Sequence, residues 1–324
     1  MCSVYDMWPE IAQEAYNAGQ DTKIVDTTGI NHIVFAGMGG SGALGDYYAA
    51  LLSNHNTHVT VVKGYRLPKT VDNNTLVVCN SVSGNTSETL TILKKSLRQP
   101  CRRIALSAGG KMREFCTQND IPHYTVDMFH TPRASFVAYV YALLGILKIG
   151  TTAHDIDESI SIMQEKRSQI QSTNLTTENP ALNLATKLTK IPLIYYPWGL
   201  QAAAVRFKNS LHENAKMHAM IEDVIEAGHN GIMSWEMPAN VQPVFIQGAD
   251  DNRKTKERWK IFEDYFSEKK IPCIVINSSG RHIMTKLVNL IYLLDYSTIY
   301  LAAIRGVNPT STNSIKYIKE RSKL

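Results

Sequence analysis

Residues 33–42 read "IVFAGMGGSG", an apolar run that stops abruptly at four glycines and one serine. Gly37, Gly39 and Gly42 fit G-x-G-x-x-G, the turn by which a strand hands over to a helix whose amides cradle a phosphate. Such a turn at the end of a β-rich run sets the expectation of a β-α unit. A dinucleotide would further need an acid about 20 residues past the glycines, at the end of the second strand. Here the second strand, "HVTVV" (58–62), ends in Lys63 with no acid. On that point alone a basic, NADP-type site stays open.

The next strand supplies a second turn. "LVVCNSVSGNTSETL" (76–90) places Ser81, Ser83, Asn85, Thr86, Ser87 and Thr89 around Gly84 at a strand-to-helix junction. Hydroxyls and free amides at a helix N-terminus suit one phosphate monoester. The plainer alternative is a capped helix, with Thr86 or Asn85 as cap. One cap accounts for one hydroxyl and leaves the others unexplained. Two phosphate-friendly turns on neighbouring strands favour a sugar phosphate over a dinucleotide.

Further along, "RIALSA" (103–108) is another β-rich run, with helical stretches at 43–53, 86–97 and 110–118. A helical zone follows from Arg133 to Lys190. The β-α alternation then restarts with "IPLIYYP" (191–197), "VQPVFIQG" (241–248) and "PCIVIN" (272–277), and helices at 199–217, 252–268 and 283–304. Strands alternating with helices imply parallel sheets. The expected organisation is α/β: a first domain over 1–152 carrying the phosphate turns, a helical connector over 153–190, and a second domain over 191–324. The matching turn in the second half, "YYPWGLQAAA", is too bulky for backbone to close on a phosphate.

Composition narrows the function classes. The chain has 324 residues, 44% hydrophobic and 19% charged, with a formal charge of +5. Its lysines and arginines are scattered among acids, which argues against a nucleic-acid partner. The most hydrophobic window, "FVAYVYALLGILKIG", falls short of the ~20 residues that cross a bilayer. The start, "MCSVYDMWPE", has no basic or apolar leader pattern. No membrane association and a cytoplasmic location are expected. The five cysteines are never closely paired, so reduced thiols are expected rather than a disulfide framework or a Cys-based zinc site.

"GMGGSG" (37–42) followed by "SVSGNTSET" (81–89) resembles the sugar isomerase (SIS) domain, and the restarted β-α pattern resembles the two-SIS-domain arrangement of phosphoglucose isomerases. "PRASF" (132–136), "NSLHENAKMHAM" (209–220), "EAGHNGIMSWE" (226–236) and "RGVNPTSTNSIKYIK" (305–319) are together similar to the bifunctional phosphoglucose/phosphomannose isomerase family. The resemblance spans nearly the whole chain. It implies two SIS domains, each a parallel sheet flanked by helices. It also implies interconversion of glucose 6-phosphate, and of mannose 6-phosphate, with fructose 6-phosphate.

Moving a proton between C2 and C1 through an enediolate needs a carboxylate base, a cation near the oxyanion and an acid/base for ring opening. No metal and no cofactor is called for. The resemblance makes Glu213 of "HENAK" the base; by itself it reads equally as a surface helix glutamate beside Lys216 or Lys208. It makes His229 the ring-opening residue, reaching the active site of the partner subunit in a homodimer. Arg133, a permanent cation, would stabilise the enediolate. Lys319 would aid ring opening or hold a sugar hydroxyl, although lysines of a C-terminal helix are usually solvated. Gly40, Ser41, Ser81, Ser83 and Thr86, with Arg133 and Lys319, would bind the substrate, and Thr312 would line room for both C2 epimers. The chain departs from the family pattern at His212 (usually Asn), Gly231 (Glu), Asn308 (Asp) and Thr312 (Val). The rival readings are a non-catalytic sugar-phosphate-binding regulator, an amino-sugar phosphate enzyme and a dehydrogenase.

Overall fold

The structure is a computed structural model that describes residues 1–22 and 25–322. It resolves into two compact units: residues 3–160 together with the end of the chain from Ser314, and residues 161–313.

The first unit opens with α1 (Cys2–Asp6) and α2 (Trp8–Gln20), then alternates β1 (His32–Ala36), α3 (Gly40–Leu51), β2 (His58–Val62), β3 (Thr75–Asn80), α4 (Ser87–Ser96), β4 (Arg102–Ser107), α5 (Gly110–Gln118) and β5 (His123–Thr125). The sheet is fully parallel in the order β2-β1-β3-β4-β5. β1 and β3 are buried at every residue, as the uninterrupted "HIVFA" and "TLVVCN" runs require of central parallel strands. α6 (Phe136–Leu147) is buried along its whole length.

α7 (Ala153–Ile170) carries the chain across the unit boundary, and α8 (Pro180–Lys187) begins at the cap Asn179, whose side chain accepts from the Ala181 and Leu182 N–H groups. The second unit continues with β6 (Ile191–Tyr196), α9 (Gln201–Glu213), β7 (Met220–Asp223), α10 (Val224–Ala227), a 3-10 turn over Gly231–Glu236, β8 (Val241–Gln247), α11 (Arg253–Glu268), β9 (Ile274–Asn277) and α12 (Ile283–Ile304). Its parallel sheet runs β7-β6-β8-β9, the same crossover pattern with one strand fewer. Aromatic rings of β6, β8 and α11 (Tyr195, Phe245, Trp259, Phe262 and Phe266) fill one face. α13 (Asn313–Arg321) closes the chain, with no buried residue.

Several expectations shift. α3 starts at Gly40, inside the glycine turn, because glycine leaves room for a helix to begin against the strand end. The helix expected over 199–217 stops at Glu213, where the chain turns into a short edge strand, β7. The edge strands β5 and β7 were not foreseen, being too short to show periodicity. The longest apolar stretch is not the window at 136–150 but α12: its 22 residues would suffice to cross a membrane by length and composition. Within the second unit, 83% of its most apolar stretch is buried, and it carries the ion-paired Asp295. That is the pattern of a core helix. All five cysteines are free thiols. Burial pushes the Cys116 thiol up to about 11, so it is a poor nucleophile.

Candidate functional site

In a sheet ordered 2-1-3-4-5, the chain leaves β1 and β3 towards opposite faces, and the ends of those two strands open a crevice where ligands bind. The two turns singled out in the sequence stand there. Ser41 joins them: its Oγ accepts the Val82 N–H at 3.2 Å, and its carbonyl accepts Asn80 Nδ2 at 3.2 Å. Gly84 has φ +68°, and a Cβ there would lie 1.8 Å from the Gly109 carbonyl oxygen, so only glycine lets the second turn press on the next loop.

Capping does not explain this turn. Thr86 occupies the N-cap position of α4 without a side-chain cap bond; its Oγ1 instead accepts from Ser81 Oγ at 2.9 Å. Asn85 turns away and accepts the Lys111 N–H at the start of α5. α3, entered through Gly39, also lacks a side-chain cap. Two helix N-termini therefore face the same crevice with their first amides uncapped by side chains, an arrangement that attracts an anion. Ser81 is fully buried, so its hydroxyl orients Thr86 from behind, while Ser83 is exposed. Asn80 Oδ1 and Thr89 Oγ1 are buried beside the turns without hydrogen-bond partners.

Arg133 is brought to this crevice by packing. A Cβ on Gly40 would stand 3.3 Å from the Arg133 Cα and 3.4 Å from its backbone N. The guanidinium-bearing residue is 3% exposed and precedes α6 in a turn, rather than lying in the helix expected from "PRASF". That turn is tied by Ser135 Oγ, which accepts the Phe129 N–H, and by Trp8 Nε1, which donates to the Ala134 carbonyl. Lys63 is held by Asp46 of α3 at 2.6 Å. The basic end of β2 is thus neutralised, which removes the support it lent to an NADP site.

The remaining candidates lie in the second unit, except Lys319, which falls in the chain end grouped with the first. Glu213 is the last residue of α9 and is partly exposed. Three residues earlier, Ser210 Oγ donates to Asp295 Oδ1 at 2.6 Å, and Arg206 clamps the same carboxylate with Nε and Nη2. Asn214 Nδ2 donates to Thr298 Oγ1 at 2.8 Å. These buried bonds fix the end of α9 on α12, so the Glu213 side chain leaves a rigid platform. Lys216, at φ +53°, donates both to the Glu213 carbonyl and to the Ser311 carbonyl. That ammonium draws Thr312, which is exposed, to the same helix end. Lys319 stands two turns along α13, exposed, with no carboxylate paired to it among the described residues.

His229 lies elsewhere. It follows α10, capped by Asp223, and its loop is pinned by Asn230, which donates to Glu226 Oε1, and by Trp235, which donates to the Tyr195 hydroxyl at 2.8 Å. The imidazole is exposed. β6 and β7 are parallel, with Leu193 opposite Met220 and Tyr196 opposite Asp223. Glu213 precedes the entry edge of β7 and His229 follows its exit edge, edges about 13 Å apart along a four-residue strand. The whole of β7 thus stands between His229 and Glu213 along the chain. The Glu222 carboxylate lies over Gly231, 2.2 Å from where a Cβ would stand, so a side chain at 231 would displace that flexible carboxylate. Burial, then Glu226 and Asp223, raises the pKa of Glu222.

Asn80, Asn214 and Asp295 were not singled out from the sequence. Asn214 and Lys216 sit inside the "HENAK" motif, which was their only signal.

Two parallel sheets flanked by helices, ordered 2-1-3-4-5 and 2-1-3-4, are the architecture of sugar-isomerase (SIS) domains. A model of the bacterial phospho-glucose isomerase C-terminal SIS domain matches residues 177–321. A bifunctional phosphoglucose/phosphomannose isomerase of Caldicellulosiruptor bescii is 29% identical over 98% of this chain and 97% of its own. The protein of the same name from Aquifex aeolicus is 27% identical over 92% of each chain. Among solved structures, the C-terminal domain of glucosamine-fructose-6-phosphate aminotransferase from Francisella tularensis superposes with a TM-score of 0.69 at 17% identity, covering 94% of this chain and 96% of that one. Both sequence comparisons make the chain similar to bifunctional phosphoglucose/phosphomannose isomerases over nearly all of its length.

Proposed function

We propose that this protein interconverts glucose 6-phosphate and fructose 6-phosphate, and mannose 6-phosphate and fructose 6-phosphate, by proton transfer through a cis-enediolate. The observation that carries the reading is the crevice itself: two helix N-termini without side-chain caps, joined through Ser41 and backed by Arg133. In this reading residues 1–152 hold the phosphate, with Gly40, Ser41, Ser83 and Thr86 as ligands and Ser81 orienting Thr86. Residues 191–324 supply the base, and 153–190 connect the two.

Glu213 carries the proton between C2 and C1. Arg133 offsets the charge that develops on the enediolate oxygens. Lys319 holds a sugar hydroxyl during ring opening, and Thr312, beside the Glu213 helix end, leaves space for either C2 epimer. His229 opens the ring in the active site of the second subunit of a homodimer. Glu213 at the end of α9, before β7, and His229 after α10, beyond it, support that assignment. Free, mostly buried thiols support a cytoplasmic location.

A coupled assay with glucose 6-phosphate and mannose 6-phosphate, each with and without chelator, tests the activity; absence of turnover on both overturns it. Mixing Glu213→Gln and His229→Ala subunits tests the shared site. A 1:1 exchange should restore about a quarter of wild-type activity, because half the dimers then carry one intact site of two. No recovery despite proven exchange places both residues in one subunit's site.

A further inference from the structure

The second sheet has its own switch point, at the ends of β6 and β8, and it holds groups that the isomerase reading leaves unused. Lys286, in the first turn of α12, has a side chain only 7% exposed, and its ammonium pairs with Asp250, whose side chain is 68% exposed. A buried ammonium thus lies beneath a solvent-facing carboxylate on the loop after β8. Beside it, the loop after β9 is pressed onto α12: a Cβ on Gly280 (φ +109°) would lie 2.6 Å from Thr285 Cγ2 and 3.3 Å from the Lys286 backbone N.

That loop begins with Ser278, which is 5% exposed and whose Oγ has no hydrogen-bond partner among the described residues. β9 alternates buried and exposed from Ile274 to Asn277, so Ser278 continues the face of Ile274 and Ile276. Val275, paired with Phe245, shares the opposite face with α11. By that register the orphan hydroxyl lies on the sheet face away from α11, in the loop whose Gly280 presses on the first turn of α12. An unpaired buried hydroxyl is costly unless something visits it.

We propose that this crevice is a second anion subsite, for a phosphate monoester or free phosphate. Asp250 occupies it in the empty protein and swings out when the ligand arrives. Lys286 supplies the charge, Ser278 Oγ donates a hydrogen bond, and the 22-residue α12 contributes its N-terminal field. The exposure of Asp250 lets its carboxylate leave to water without unpacking the core. The subsite stands on residues of the second unit and does not require the isomerase assignment.

The test is calorimetric titration of the full chain with inorganic phosphate and, separately, with ribose 5-phosphate. Asp250→Asn removes the competitor and should bind one more equivalent per chain than Asp250→Asn combined with Lys286→Met. Tighter binding of inorganic phosphate or of ribose 5-phosphate at that extra site tells which source it takes, and either supports the subsite. Ser278→Ala, in the Asp250→Asn background, should weaken the extra site several-fold while leaving the melting temperature unchanged or higher. A purely structural serine would give the reverse split. Equal stoichiometry in the single and double variants, with both folded by circular dichroism, overturns the proposal.

Discussion

The two sheets share a crossover pattern, yet their crevices hold opposite chemistry. At the end of β3 the chain places serine and threonine hydroxyls and leaves the helix amides without side-chain caps. At the end of β8 it places Asp250 and Asp251, each of which engages donors around it. Asp251 Oδ2 accepts both the Gly248 N–H and Trp259 Nε1, and Asp250 takes Lys286. In the first crevice the one acid in the opening turns, Glu88, takes the Ser87 hydroxyl and not the α4 cap position. The topology repeats the same strand-end crevice, and the side chains around it give each copy a different charge.

The sharpest way to break this contrast is to give the first crevice the chemistry of the second. Ser41→Asp would set a carboxylate between the two helix N-termini, where like charges juxtaposed cost several kcal/mol. Isomerase kcat/KM should fall by at least ~10³-fold while the fold persists by circular dichroism. Normal saturation with fructose 6-phosphate would remove phosphate from that crevice. Next in size, Glu213→Gln should cut kcat by at least ~10²-fold, the scale of general acid–base catalysis, with KM within a few-fold. Near-normal turnover in that variant would end its assignment as base.

Thr86→Ala and Ser83→Ala should each raise KM for fructose 6-phosphate by an amount worth ~1–2 kcal/mol, the loss of a charge-assisted hydrogen bond. A fall in melting temperature with KM unchanged would instead make them structural. The smallest kinetic effect is expected in the second crevice. Asp251→Ala loses two bonds to one carboxylate and should cost ~1–3 kcal/mol of stability in urea unfolding, with kcat and KM unaltered. A raised KM there would mean that the two crevices are not separate in function.

Much of this was legible in the sequence because it is local. A strand that is buried on both faces is a continuous apolar run, and "TLVVCN" falls at the residues where β3 occurs, while "HVTVV" marks the half-buried edge strand β2. The helix at 283–304 is bounded as its composition suggests. The turns carry their chemistry in consecutive residues. What stayed hidden depends on partners distant in the chain. Asp295 reads as one polar interruption in an apolar helix until Arg206 and Ser210 close on it. The proximity of Arg133 to the phosphate turn needs Gly40 to lack a side chain, a fact about packing 93 residues away. Ser81 and Thr86 look alike as hydroxyls in a string, and only burial separates the one that orients from the one that is presented.

The placement of Glu213 and His229 on opposite edges of β7 has a consequence for how the enzyme behaves in a test tube. If each working centre is assembled from two chains, specific activity is not a constant of the protein. It should hold steady at high concentration and decline on dilution below the dimer dissociation constant, where the rate grows with the square of the protein present. Substrate that bridges both chains should then delay that decline, because each bound sugar phosphate also acts as glue between subunits.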